Sequence, residues 1–211
     1  MVRLVSVTPD AEGLIGYCAR VSSPQNQGKD STRLLRYCIQ HGHWSPFEMA
    51  HAVMEIQTTR AISAQILRHR SFSFQEFSQR YAAVDNPPRD PDQRLAGATN
   101  RQSSLPVDWH DATPEQLSAV REGKDAVRAS WRAYRALLDA GFATETARMV
   151  LPLCTPTRLY MAGSIRSWLH YIEIRNTPET QEEHRIIAEN CASILRDALP
   201  TIVSAFEERN R

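Results

Sequence analysis

Lysine is almost missing from this chain of 211 residues: of its 25 basic residues only Lys29 and Lys124 are lysines, and the rest are arginines. Codon bias in a GC-rich genome produces that ratio unaided, so local clusters of arginine say more than the total. Net charge is also lacking. The formal value is +1, which excludes a general nucleic-acid coat, since such a protein needs a large basic excess. Cysteine is sparse and unpatterned. Cys18, Cys38, Cys154 and Cys191 form no CxxC pair, and each lies in or beside an apolar segment, which reads as buried thiols. No apolar run approaches the roughly eighteen residues of a membrane span, and no apolar leader stands at the N-terminus, so an intracellular, cytoplasmic setting is expected. Neither GxGxxG nor GxxxxGK[ST] occurs. A bound nucleotide would therefore rely on arginine side chains and helix N-termini to hold its phosphates. Ser78, between Phe77 and Gln79, lacks the glycine frame of a hydrolase elbow.

What is present reads as one helix-rich α+β domain over residues 1–211 with a modest, mostly antiparallel sheet. Hydrophobic content of 42% and charged content of 23% are those of a globular chain with one sizeable core. Val2–Val7 alternates as a strand. Helical spacing follows to Ala19, then recurs at Leu34, Leu35, Cys38 and Ile39 after a cap at Asp30 or Ser31. A strand is expected near Val53–Gln57, a helix over 61–68, and an extended or looped Ser71–Phe77. Residues 83–105 hold Pro87, Pro88 and Pro91 and read as a loop, expected to be mobile. Thr113-Pro114-Glu115-Gln116 opens a helix to Leu138 with a capping box. Ala143–Val150 reads as helical, Thr157–Ala162 as a strand and Ile165–Ile174 as a helix. Another helix is expected from Thr177-Pro178-Glu179 to about Leu199.

The densest chemistry lies in RHRSFSFQEFSQRY, Arg68 to Tyr81. Arginine suits bidentate capture of phosphate and stacking on flat rings, and histidine holds or relays a proton near neutral pH. The plain alternative is a solvated basic helix end. A second cluster, His41-Gly42-His43-Trp44-Ser45-Pro46-Phe47-Glu48 with His51 nearby, invites a metal, yet its spacing matches no common zinc pattern. A third comprises Arg148 to Pro152 with Arg158, Arg166 and Arg175. Cys154 has only Arg158 near it as an activating charge, and the other thiols fall on apolar helical faces, so no cysteine nucleophile is expected.

Arg68-His69-Arg70 followed by Ser78, with Gln65, Glu76, Arg80 and Tyr81 in register, resembles the signature of the flavin-dependent thymidylate synthases. HGHWSPFE resembles that family's His-Gly-His segment ending in Pro-Phe-Glu. Ala147-Arg148-Met149-Val150-Leu151-Pro152 resembles its Ala-Arg-x-x-Leu-Pro, and Gly163–Arg175 its late helix ending in Arg. The resemblance implies methylation of dUMP at C5 to dTMP. Methylenetetrahydrofolate would supply the carbon, and FAD reduced by NADPH the hydride, in a homotetramer with active sites at subunit interfaces. It further implies that Gln65, Arg68, Glu76, Ser78, Arg80, Arg148 and Arg175 bind dUMP. Arg175 would face the pyrimidine as a catalytic charge, and His43 would lie near flavin and folate. Ser45, Glu48, Arg68, His69, Arg70, Ser71, Ser164, Arg166 and His170 would contact FAD. Ser164 departs from the common Asn. No metal, nucleic acid or membrane is implied. Two other readings stay open: a relative that hydroxymethylates or acts on UMP, and an RNA- or DNA-binding module using the Arg-rich segment with Phe72, Phe74 and Phe77 as stacking platforms.

Overall fold

The alternating Val2–Val7 segment forms strand β1 in the computed structural model, which describes residues 1–98, 100 and 104–209. β1 pairs antiparallel with β2 (His51–Thr59), with a register irregularity between Leu4 and Ser6. The sheet has four strands in the order β1-β2-β6-β3, where β3 is Ser73–Glu76 and β6 is Pro156–Ser164. Among the described residues eight α-helices accompany it: α1 (Ala11–Ala19), α2 (Thr32–Gln40), α3 (Arg60–Ile66), α4 (Pro114–Asp139), α5 (Thr144–Ala147), α6 (Ile165–Arg175), α7 (Glu182–Ala198) and α8 (Pro200–Arg209). The class is α+β. Two three-residue strands, β4 (Arg94–Ala96) and β5 (Ser104–Pro106), pair antiparallel at the end of the segment expected as a loop. No helix of the described residues is long and apolar enough to cross a membrane.

The chain separates into two compact units. The first comprises Met1–Ile56, Leu67–Gln75 and Tyr160–Arg211. Its core includes Ile15, Leu35, Ile39, Phe47, Met54, Trp168, Tyr171 and Leu195, all sealed from solvent. The Trp168 indole N–H donates to the Ala52 carbonyl at 3.1 Å, so the largest side chain buries no idle donor. α8, beyond the expected end at Leu199, begins on Pro200, which suits the first helical position. Its Ile202 N–H donates to Glu12 Oε1 at 2.9 Å, so a carboxylate of α1 satisfies one open donor at the α8 N-terminus. Arg36 of α2 reaches Glu208 of α8 at 2.6 Å. α7 starts at Glu182, later than the Thr177-Pro178-Glu179 reading. Thr180 N–H bonds the Thr177 carbonyl at 3.0 Å, which makes these residues a turn.

The second unit comprises Gln57–Ile66 and Glu76–Leu159. Val84, Tyr134 and Ala147 form its buried cluster, with Phe77, Trp131, Leu137, Leu138 and Leu151 packed on it. The Tyr134 hydroxyl accepts from Val84 N–H at 2.8 Å. α4 opens on the expected capping box: Thr113 Oγ1 accepts from Gln116 N–H at 3.3 Å, and Gln116 Oε1 from Thr113 N–H at 2.9 Å. Positive φ at Gly141 lets the chain leave α4 in a conformation that side chains resist.

One close approach fixes the RHR segment in the first unit. A Cβ at Gly163 would lie 2.5 Å from the Phe72 ring. That ring is boxed in by Trp168 at 4.9 Å and Tyr171 at 6.1 Å, centroid to centroid. Gly163→Ala must therefore displace a packed aromatic and should lower unfolding stability by about 1–3 kcal/mol, the usual scale of overpacking. Urea denaturation of the variant beside the parent measures this.

Candidate functional site

The turn after α3 carries Arg68, His69 and Arg70. Arg68 and Arg70 are exposed, while His69 folds inward in the first unit. Its ring stands perpendicular to Tyr171 at 4.9 Å and to Phe72 at 6.4 Å. Arg175, the last residue of α6, donates its Nε–H to His69 Nε2 at 3.0 Å. This bond settles two questions that spacing left open. Arg175 spends its Nε on the RHR motif and not on the carbonyls that end its own helix. His69 receives at Nε2, so its proton sits on Nδ1. Burial, then the charges of Arg175, His170 and Arg68, press the His69 pKa from 6.5 down to about 4. The imidazole is neutral at physiological pH.

α6 is capped by Ser164, whose hydroxyl accepts from Ser167 N–H at 3.2 Å and donates to Ser167 Oγ at 3.1 Å. Ser164 is buried in this cap, so of the residues expected to touch a flavin it is the one whose hydroxyl is committed to its helix. Arg166 and His170 project outward from the next turns. Arg166 forms an ion pair with Glu48 at 2.9 Å, and His170 Nδ1 lies 3.7 Å from Glu173. Glu48, Ser71, Arg166 and His170 line one cleft of about 400 Å³ in the first unit, together with Trp44, Phe206 and Arg209. Arg209 stacks on Trp44 with its guanidinium carbon 4.9 Å from the ring centre. Ser45 opens the short turn Ser45–Glu48 and is exposed. The cleft sets the guanidinium groups of Arg166 and Arg209 against the carboxylates of Glu48 and Glu173, with hydroxyls at Ser71 and Ser167; Arg166 is paired with Glu48, and Arg209 covers the Trp44 ring.

The histidines of the HGH segment stack and do not gather. His41 lies on Tyr37 at 4.0 Å, its Nδ1 2.9 Å from the Tyr37 carbonyl, and His43 is 6.2 Å from His41, ring to ring. Among the described residues no three His, Cys, Asp or Glu side chains are placed to hold a metal ion. The four cysteines are free thiols, and burial pushes Cys38, Cys154 and Cys191 upward, away from the thiolate.

In the second unit the organising group is Glu76. Its Oε1 accepts from Ser63 Oγ at 2.7 Å and Thr157 Oγ1 at 2.8 Å, and pairs with the Arg60 guanidinium. Burial alone would raise this carboxyl, but those three hydrogen bonds and the Arg60 charge outweigh it and hold the pKa below the usual value. Gln65 is half-buried on α3. Ser78 and Arg80 are exposed in a tight turn, where the Ser78 carbonyl accepts from Tyr81 and Ala82 N–H, each at 3.0 Å. The Arg80 carbonyl accepts from Thr144 Oγ1 at 2.8 Å. Arg148 sits where α5 passes into the short turn Arg148–Val150, its Nε donating to the Glu145 carbonyl at 3.3 Å. The buried Gln79 Nε2 has no hydrogen-bond partner among the described residues, and nothing in the fold explains it.

Sequence reasoning missed Arg60, Ser63 and Thr157 around Glu76, and Tyr171 and His184 behind His69. Their signal is tertiary, since Thr157 lies 81 residues from Glu76. Only Tyr171, four residues before Arg175 on one helix face, could have been found from spacing.

Two histidines tie stability to pH. His184, fully buried, is pressed down to about 4, first by burial and then by Arg175 and His69. Folded values below the unfolded 6.5 mean that the unfolded chain binds more protons between pH 6.5 and 4. Stability is complete above 6.5 and falls as pH drops through that window. Glu76, depressed in the same sense, adds its loss only below the ordinary carboxylate range. Urea unfolding at pH 7.5 and pH 5 should show the parent weaker at pH 5, and His69→Gln should reduce that difference. An unchanged difference would show that His69 is not neutral and buried in solution.

Residues 3–201 match the sequence profile of the family described as thymidylate synthase complementing protein. The flavin-dependent thymidylate synthase of Synechocystis sp. is 48% identical over 196 residues, which covers 93% of this chain and 89% of the relative. That of Thermus thermophilus is 32% identical over 210 residues, covering 98% of this chain and 75% of the relative. Among solved structures, the UMP/dUMP methylase PolB from Streptomyces cacaoi superposes with a TM-score of 0.82 at 25% identity in its complex with 5-Br dUMP. That match covers 99% of this chain and 94% of PolB. The same protein bound with 5-Br UMP matches with the same score at 27% identity.

Proposed function

This chain belongs to the thymidylate synthase complementing protein family, and we propose that it carries out the reductive methylation of dUMP to dTMP with FAD, taking carbon from methylenetetrahydrofolate and reducing equivalents from NADPH. The observation that carries this reading is the Arg175–His69 hydrogen bond, which joins the end of the late helix to the RHR motif. With Nε committed to His69, the Nη1 and Nη2 groups of Arg175 form a fork held from behind. A fixed cation of that kind stabilises negative charge developing on a uracil ring. Gln65, Arg68, Glu76, Ser78, Arg80 and Arg148 complete the proposed nucleotide set. Glu76, kept ionised by Arg60, Ser63 and Thr157, serves as an acceptor for hydroxyl or N–H donors.

FAD, when bound, supplies the hydride that completes the methyl group. Glu48, Ser71, Arg166 and His170, which line one cleft, are assigned to hold it, with Arg68, His69, Arg70 and Ser45; the guanidinium groups of Arg166 and Arg209 are the donors of that cleft for a pyrophosphate. Ser164 contributes by capping α6, which sets Arg166 and His170 in place. His43 is assigned to the flavin and folate side. The raised thiols of Cys38, Cys154 and Cys191 support methyl transfer without a cysteine nucleophile.

A homotetramer with sites shared between subunits is part of the proposal. It is supported by exposed apolar side chains in or beside the motif segments: Tyr81 is 91% exposed, Met149 79% and Leu153 71%. PolB is described in complexes with both a dUMP and a UMP analogue, so UMP stands as the second substrate reading, and product analysis with each nucleotide separates the two.

Purified protein should carry flavin absorbance and convert dUMP to dTMP with folate and NADPH. Arg175→Lys should keep folding and flavin content near the parent. It should weaken dUMP binding and turnover by at least about tenfold, because one ammonium cannot both bond His69 and present a fork. A Lys variant that binds dUMP like the parent would return Arg175 to a helix-end charge, for which the exchange is nearly neutral.

A further inference from the structure

An arginine at a helix end is a loose device. Its long side chain has many rotamers, and a catalytic fork must be held to within a fraction of an ångström to be effective. His69 anchors the Nε of Arg175, but the His69 ring follows a turn and needs its own stop. That stop is the ring of Tyr171, perpendicular to it at 4.9 Å. Tyr171 and Arg175 are four residues apart on α6 and so share a face. The Tyr171 ring is in turn tied down. Its Oη is hydrogen-bonded to His184 Nε2 at 3.1 Å, inside the packing of α7, and both residues are fully buried. The His184 ring is 6.2 Å from His69 and 5.8 Å from Tyr171.

We propose that Tyr171 and His184 are positioning residues, a hydrogen-bonded pair that fixes the His69 ring and through it the direction of the Arg175 guanidinium. The proposal rests on the reading of Arg175 as the nucleotide-facing charge. His184 lies in none of the segments that carry the family signature, so its part comes from the geometry alone. Burial keeps the Tyr171 phenol protonated and His184 neutral, so the bond persists across the working pH range and brings no second positive charge toward Arg175. The competing account is that the pair merely satisfies two polar groups in a core. That account predicts lost stability without a selective loss of nucleotide affinity.

The test uses the flavin-loaded full chain and four variants: Tyr171→Phe, His184→Leu, His184→Gln and Arg175→Lys. Calorimetric titration with dUMP, steady-state kinetics, flavin content and thermal midpoint are measured for each. Tyr171→Phe keeps the ring and removes only the hydroxyl. It and His184→Leu should raise the dUMP Kd and KM about tenfold, the scale of one lost hydrogen bond, with a smaller change in kcat. Flavin content and, for Tyr171→Phe, the thermal midpoint should stay near the parent. His184→Gln, whose amide can still meet the phenol, should recover most of the affinity. If Tyr171→Phe binds dUMP like the parent while Arg175→Lys does not, the pair is core packing and the proposal is overturned with the Arg175 reading intact. If Arg175→Lys also binds normally, the underlying reading falls and the proposal with it. Should His184→Leu fail to fold, Tyr171→Phe decides the matter.

Discussion

Placing a neutral imidazole between an aromatic wall and a guanidinium is the constraint on which the first unit of this protein turns. Were His69 charged, it would repel Arg175 across a 3.0 Å contact and lose its acceptor nitrogen. It stays neutral because burial beside Phe72 and Tyr171 disfavours the charged form, and the charges of Arg175, His170 and Arg68 press in the same direction. The wall has its own requirement. Phe72 can lie against β6 only because position 163 has no side chain, and Trp168 closes the box with its indole N–H already satisfied. Packing, protonation state and the aim of Arg175 are thus one arrangement read at three levels.

The second unit solves the opposite problem. There the group to be kept charged is a carboxylate, and burial works against it. The cost is offset by aiming an arginine and two hydroxyls at a single oxygen of Glu76. Ser63 and Arg60 come from α3 and Thr157 from β6, so the carboxylate is held by regular elements, which position side chains more firmly than loops do.

Much of this fold is legible in the residue pattern, and the parts that are not share a physical reason. α4 is marked by its capping box and proline, and β1 by its alternation, since both signals are local. Leu199-Pro200 reads as a helix end because proline cannot continue a helix. It is also a helix start, and what decides for α8 is Glu12, a residue 190 positions away. The late start of α7 has the same character: Thr177-Pro178-Glu179 is a sound cap on paper, but the Thr180 N–H turns back to Thr177 first. At the site, motif matching found Arg68–Arg70, Glu48, Arg166 and Arg175, and the structure brings Glu48 to Arg166 and His69 to Arg175. It did not find the residues that hold these in place, because a supporting side chain needs only the right volume and one polar atom, and many sequence patterns supply that. Ser164 is the instructive case. A residue expected at a cofactor position by resemblance also caps its own helix.

The shortage of lysine has a counterpart at the level of single contacts. Codon bias explains the proportion, yet at three places the guanidinium does something an ammonium cannot. Arg175 donates through Nε while its two Nη groups stay together as a fork. Arg20 bridges the Lys29 carbonyl and the Ser31 hydroxyl with Nη1 and the Asp30 carbonyl with Nη2. Arg209 lays its flat face on Trp44 in the cleft that also holds the Glu48–Arg166 pair. Each use depends on planarity and on donors pointing in separate fixed directions. An arginine-rich composition is therefore uninformative as a sum and informative wherever one guanidinium serves two partners at once. Arg20 meets that criterion within its own turn, and the proposed fork of Arg175, bonded to His69 through Nε, would meet it once a nucleotide is bound.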